Sequence, residues 1–466
     1  MALFKSFRLT VQLWTKVSQR SNSTKLTYAQ RMCPQEFCLE NYDCIGFDLD
    51  HTLCRYNLKP LINLIYETLS SYLVEKYEYP KSLAHATDKE MSFAQKGIIL
   101  DKRKGNFLKL DNNYKIVKAS HGTQMLSTEE ICSIYGPKRI WEDSKGIPHR
   151  MVANTALDEP FYVFKDYFVT AGAIVCAKIV DILDEQHGKP LDEYSFWDHY
   201  LDGLFYMYER NNFKNNSGKF FPDLKHNPDR YLQHCSDDLK AWLKNVCKDK
   251  VSFLLTSSNY DSASFLAEYA LGEDWKNYFD IIVTFARKPG FFWKDKPFCI
   301  IEENAEVSGI KPEDMKSHLI YSQGNWKDLQ KACSLKSKSQ NPKVLYFGDS
   351  LIEDVYAASE IAQCDTIAIV EEMLAEGMDS TPETHVESET LLSNCWGSFF
   401  GNGRHMGDSN QTFSLWAQML SQHSKLTVPN LDCFMRLPLQ EKIPCFGNES
   451  STAGFFPGVP KVLASN

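Results

Sequence analysis

The stretch from Ile45 to Leu53 sets two carboxylates, Asp48 and Asp50, one residue apart behind an apolar run. Like charges that close raise each other's cost of ionisation, so the pair needs a compensating cation or open solvent. An acidic turn closing a strand, with Thr52 capping the next helix, accounts for the pattern without chemistry. A divalent metal held at the carboxyl end of a parallel strand accounts for it too, because that end is where open α/β sheets build sites. On this stretch alone both readings stand.

Three further stretches bear on the choice. Thr256, Ser257 and Ser258 end one apolar run and carry hydroxyls that can hydrogen-bond phosphate oxygens. Arg287 and Lys288 follow a second run, and Asp349 ends a third, with Asp354 five residues on. Singly, each is an ordinary strand–helix junction, solvated loop or helix first turn. Together and in order, each at the end of an expected strand, they are the parts phosphoryl transfer uses. One carboxylate attacks phosphorus, a second moves protons, and a metal and a lysine neutralise charge on the phosphoryl oxygens.

The elements that must position these residues read as short buried strands. They are expected at Cys44–Asp48, 250–258, 280–286, 343–350 and 365–370, each followed by a helix-like stretch, the pattern of a parallel α/β sheet. Nearly the whole span between the first two strands exceeds what a crossover needs, so residues 63–245 are expected to form an inserted cap domain, with a helical pattern over Asp192–Asn211. The catalytic core is then 40–62 with 246–375. Residues 376–392 read as an acidic linker, since no Lys or Arg occurs from Val344 to Gly403. The segment 393–466 carries "CWGSFF" and "AGFFPGV", too aromatic for a free tail, and is expected to dock on the core.

Composition excludes several classes. Over 466 residues, 43% hydrophobic and 24% charged residues are ordinary for a globular protein. A formal net charge of −9 gives no pull toward nucleic acid. The longest apolar run, Phe168 to Ala177, is closed by Lys178 and is too short to span a membrane. Fourteen cysteines contain no C-x-x-C pair, and twelve histidines no H-E-x-x-H, which argues against zinc and disulfide frameworks and for reduced thiols. Residues 1–39 are basic and expected to be poorly ordered. Lys5, Arg8, Lys16, Arg20, Lys25 and Arg31 precede the first acidic residue, Glu36. A cytoplasmic protein is expected, and a mitochondrial presequence over 1–31 is the alternative.

The order D-x-D-x-T-L, strand-end Thr, loop Lys and G-D-x-x-x-x-D resembles the haloacid dehalogenase superfamily of phosphatases. "FDLDHTLCRY", "KGNFLKLD" (104–111), "SHG" (120–122), "KPGFF" (288–292) and "LYFGDS" (345–350) are similar to its purine-type cytosolic 5′-nucleotidase branch. The resemblance implies a Rossmann-like sheet with a large inserted cap and a C-terminal extension. It implies Asp48 as nucleophile and Asp50 as general acid/base. It places Mg²⁺ on the Asp48 carboxylate, the Asp50 backbone carbonyl and Asp349, a set of oxygens that suits magnesium. Thr256, Ser257 and Lys288 would hold the phosphoryl group, and Asp354 would orient Lys288 or a metal-bound water. The substrate implied is a small phosphomonoester, a nucleoside 5′-monophosphate first, in a protein free to form homo-oligomers. Where purine-specific members follow "HG" with an aromatic–Asn–aromatic base platform, this chain has Thr123, Gln124 and Met125. The alternatives are a phosphatase of non-nucleotide esters, and a weakly active or non-catalytic member that works by binding partners.

Overall fold

The structure, a computed structural model, describes residues 35–154, 158–302, 305–379, 391–402, 412–447 and 452–464. The basic segment expected over 1–39 falls almost wholly, and the acidic linker mostly, outside the described residues.

Short apolar runs without polar alternation become strands buried on both faces. In chain order the strands of the main sheet are β1 (Cys44–Phe47), β2 (Val251–Leu255), β3 (Ile281–Thr284), β4 (Phe298–Glu302) and β5 (Ala305–Ile310). They continue as β6 (Ile320–Gln323), β7 (Val344–Gly348), β8 (Asp365–Ile369) and β9 (Leu426–Val428). Every residue of β1, β2, β3 and β7 is buried. In space the order is β5-β4-β6-β3-β2-β1-β7-β8-β9. Neighbours from β6 through β9 are all parallel, while β4 and β5 form an antiparallel hairpin on one edge.

The chain thus has the Rossmann-like α/β fold expected of the haloacid dehalogenase type. The five strands read from the sequence are the middle of the sheet, and the structure adds β6, the hairpin and β9. β1 lies between β2 and β7, with Phe47 level with Leu254 and Phe347. This register brings the carboxyl ends of the three strands to one edge.

The chain leaves the core through a two-residue strand, Arg55–Tyr56, which pairs antiparallel with the returning Leu232–Gln233. Between them lies an antiparallel sheet ordered Gln124–Met125, Ile116–His121, Asn106–Leu110, Ile99–Asp101, Phe161–Val163. Two long helices, Leu58–Tyr77 and Tyr167–His187, pack against each other. The apolar run from Phe168 is the first half of the second helix, which Asp166 caps through the Phe168 N–H and Gly188 ends in a left-handed turn. The helical pattern over Asp192–Asn211 resolves into Trp197–Met207 and Arg210–Lys214. Its first residues stay irregular where the Tyr194 hydroxyl bonds Asp184 and the Leu191 N–H.

The C-terminal segment touches both parts. It supplies β9 beside β8. Its Trp396 indole N–H donates to the Phe93 carbonyl at 2.8 Å, and Lys109 donates to the Trp396 carbonyl at 2.9 Å. Among the described residues the cysteines are free thiols, mostly buried, and no helix is long and apolar enough to cross a membrane.

Candidate active site

Asp48 directly follows β1, Thr256 follows β2, Lys288 lies in the loop after β3, and Asp349 follows β7. Ser350 caps the next segment by accepting the Glu353 N–H, and a single π-helical turn, Leu351–Tyr356, carries Asp354 back under the strand end. One oxygen each of Asp48, Asp349 and Asp354 lies within 4.8 Å of the others, and all three residues are buried. Lys288 Nζ sits among them, 2.6 Å from Asp354 Oδ1, 2.8 Å from Asp48 Oδ1 and 3.0 Å from the Tyr346 hydroxyl. Gly348 makes the close approach achievable, since a Cβ there would meet the Asp354 Cβ at 2.4 Å.

Burial sets the electrostatics of this floor. It raises the Asp48 carboxyl well above its ordinary range, against the pull of Lys288 and with help from Asp354 and Asp50. It raises Asp349 likewise, with Asp354 and Asp48 adding to the effect. For Lys288, burial alone would lower the pKa, but Asp354 and Asp48 outweigh it and hold the ammonium well above its ordinary value. Three carboxylates therefore face one ammonium, and every donor is an oxygen. That charge imbalance and that donor chemistry fit a hard divalent cation such as Mg²⁺, which keeps several of its waters.

Asp50 turns its side chain away from this cluster. Its Oδ1 accepts from the Tyr56 hydroxyl at 2.6 Å and its Oδ2 from Ser258 Oγ at 2.8 Å. The left-handed backbone at His51, φ 54°, turns the chain directly after Asp50. Thr256 Oγ1 accepts the Ser258 N–H at 3.0 Å, and Ser257 Oγ accepts the Lys288 N–H at 3.0 Å. Both hydroxyls then point a hydrogen elsewhere, which an anion above the floor could accept.

The seven residues to which the resemblance gives roles, Asp48, Asp50, Thr256, Ser257, Lys288, Asp349 and Asp354, line one cavity of about 300 Å³ together with Ser258, whereas Arg287 is exposed and does not. Its other wall is aromatic. Tyr56, Phe168, Tyr208, Phe213, Phe220 and Phe221 line it, and Arg210 lies at its edge with Nε 2.7 Å from Asp261 Oδ2. Sequence reasoning missed this wall. Its only signal was the density of aromatic residues between 205 and 221. Thr123–Met125, where a base platform was expected to differ, does not line the cavity. Thr123 donates to Asp181 through both its N–H and its hydroxyl, and Met125 is exposed.

Known proteins are similar to this one along most of the chain. The model of the 5′ nucleotidase family matches residues 32–395. A human protein, 5′-nucleotidase domain-containing protein 1, is 34% identical over 93% of this chain and 98% of its own length. Human 5′-nucleotidase domain-containing protein 2 is 25% identical over 69% of this chain and 58% of its length. A HAD-hydrolase structure from Bacillus subtilis, bound to magnesium, covers 72% of this chain and 91% of its own at 12% identity and a TM-score of 0.26, too loose a likeness to bear on activity. The chain belongs to the 5′ nucleotidase family and is a phosphoric monoester hydrolase.

Proposed function

We propose that the chain hydrolyses nucleoside 5′-monophosphates through a phosphorylated Asp48, with Mg²⁺ held by Asp48, Asp349 and the backbone carbonyl of Asp50. The observation that carries the reading is one cavity whose floor pairs Asp48 with Lys288 at 2.8 Å beside two more carboxylates. Lys288 and the hydroxyls of Thr256 and Ser257 would bind the equatorial oxygens of a phosphate seated over Asp48. An Asp48 oxygen attacks phosphorus, the ester P–O bond breaks, and the departing oxygen takes a proton from Asp50. Water then attacks the phosphorylated Asp48 and gives a proton to Asp50, which frees phosphate and restores both groups. Mg²⁺, when bound, neutralises charge on Asp48 and the phosphoryl oxygens. Asp354, held 2.6 Å from Lys288, fixes the ammonium over the floor.

The aromatic wall supports a planar ring as the group carried by the phosphate, since flat apolar surfaces stack. Turnover of p-nitrophenyl phosphate and of a nucleotide panel, wild type against Asp48→Asn, tests the proposal. Wild-type turnover should need Mg²⁺ and vanish in the variant, because an amide cannot form the acyl phosphate. Full activity in Asp48→Asn would sink the mechanism, and a preference for sugar phosphates over all nucleotides would sink the substrate.

A further inference from the structure

A group that gives a proton in one step and takes one in the next must point at two different oxygens in turn, so its aim matters. Both oxygens of Asp50 are held, Oδ1 by the Tyr56 hydroxyl at 2.6 Å and Oδ2 by Ser258 Oγ at 2.8 Å. Ser258 belongs to the core, directly after β2. Tyr56 does not belong to one part alone. It lies on the ribbon that joins core to insert, opposite Leu232. The neighbouring Asn57 ties that ribbon to the carbonyls of Asp229 and Arg230. The Tyr56 ring lies tilted, 4.5 Å between centres, against the core's His51 and stands edge-on, 5.5 Å away, to Phe168 of the helix Tyr167–His187. Phe168 and Tyr56 both line the cavity. The phenol thus touches the insert with its ring and Asp50 with its hydroxyl.

We propose that Tyr56 is the positioning residue that aims the Asp50 carboxylate, with Ser258 holding the opposite oxygen, and that it ties this aim to the seating of the inserted domain. The inference rests on the reading of Asp50 as acid/base. Misaiming a general acid slows departure of a poor leaving group far more than of a good one, because a good one needs little proton. The discriminating quantity is kcat/KM, which covers the steps through ester cleavage, compared between p-nitrophenyl phosphate and an alkyl phosphate such as a nucleoside 5′-monophosphate. Tyr56→Phe keeps the ring and removes the hydroxyl.

It should lower kcat/KM for the alkyl ester about ten- to a hundredfold and for the aryl ester less than about threefold, within what proton transfer contributes. Ser258→Ala, which leaves the ribbon intact, should show the same bias. In an Asp50→Asn background Tyr56→Phe should cost less than about twofold, since residues acting through one group are not additive. Equal losses on both esters, or additive losses with Asp50→Asn, overturn the positioning role while a dead Asp48→Asn leaves the site reading intact. An active Asp48→Asn overturns both. Melting temperatures of the two single variants show whether a loss is of fold, and Ser258→Ala decides if Tyr56→Phe fails to fold.

Discussion

Two buried lysines of this protein sit beside carboxylates, and they do different things. Lys288 meets Asp48 and Asp354 with Asp349 close by, at the floor of an open cavity. Lys96 Nζ lies 3.1 Å from Glu372 Oε2 and 4.6 Å from the centre of the Tyr167 ring. Those two side chains are 0% and 1% exposed, and none of the three residues lines the cavity. Around Lys288 negative charge is in surplus, which a cation and a phosphate can exploit. Around Lys96 the ammonium is in contact with one carboxylate, Glu372, with the ring's face adding to it, while its charge also reaches Asp349 and Asp166. His51 beside it is pushed down to about 3 by burial and by Lys96, so the imidazole stays neutral and its 4.0 Å approach to Glu371 is no ion pair. Lys96 and Tyr167 come from the insert and Glu372 from the core. The difference teaches that carboxylates gathered around an open cavity mark a working site, whereas a sealed buried pair joins two parts of a fold.

The largest expected effect breaks the first cluster. Lys288→Met should lower kcat on an aryl phosphate by at least about a hundredfold, the scale of one lost electrostatic stabiliser, while circular dichroism stays native. Next comes the second cluster. Lys96→Met leaves Glu372 buried and unanswered and should cost about 3–5 kcal/mol in denaturant unfolding, most of it recovered in Lys96→Met/Glu372→Leu. The protein that remains folded should keep its kcat/KM within a few-fold. A loss of activity without loss of stability in Lys96→Met would erase the contrast.

The smallest effect concerns Glu376, which borders the sealed pair. Burial pushes its carboxyl up to about 7, against its hydrogen bonds from Ser398 and the Phe399 N–H. Between its ordinary value of 4.5 and 7 this carboxyl holds more protons in the folded state than in the unfolded one, so its contribution to stability should fall as pH rises through that window. Buried His51 slopes the other way up to its ordinary value, so the readout is the difference between wild type and Glu376→Gln: from pH 5 to 7.5 the urea midpoint of wild type should fall relative to that of the variant. A wild-type midpoint that rises relative to the variant's over that window would show the sign to be wrong.

What could be read in advance follows the same division. Asp48, Thr256 and Asp349 sit next in sequence to the strands that place them, so a run of apolar residues was enough to gather them. Lys288 needed only a short loop. The aromatic wall was not legible, because Phe168, Tyr208 and Phe213 face the cavity through the packing of the long segment between β1 and β2, and nothing local marks their direction. Tyr56 closed the stretch "FDLDHTLCRY" without a role of its own, since its place depends on a ribbon partner at Leu232 far along the chain. β9 was missed because three residues, "LTV", carry too little pattern to stand out from a loop.

The register of β1 has a consequence in time. It is the strand at the heart of the sheet, yet its two neighbours start only at Val251 and Val344. At about 5–20 residues per second, a chain made from its N-terminus leaves β1 without a partner for on the order of ten to forty seconds. During that interval Cys44–Phe47 is an apolar segment with unmatched backbone groups, the kind of edge that recruits other chains. The long segment between β1 and β2 is therefore also a delay in synthesis. The nascent chain must shelter its future centre until the far side of that segment has been made.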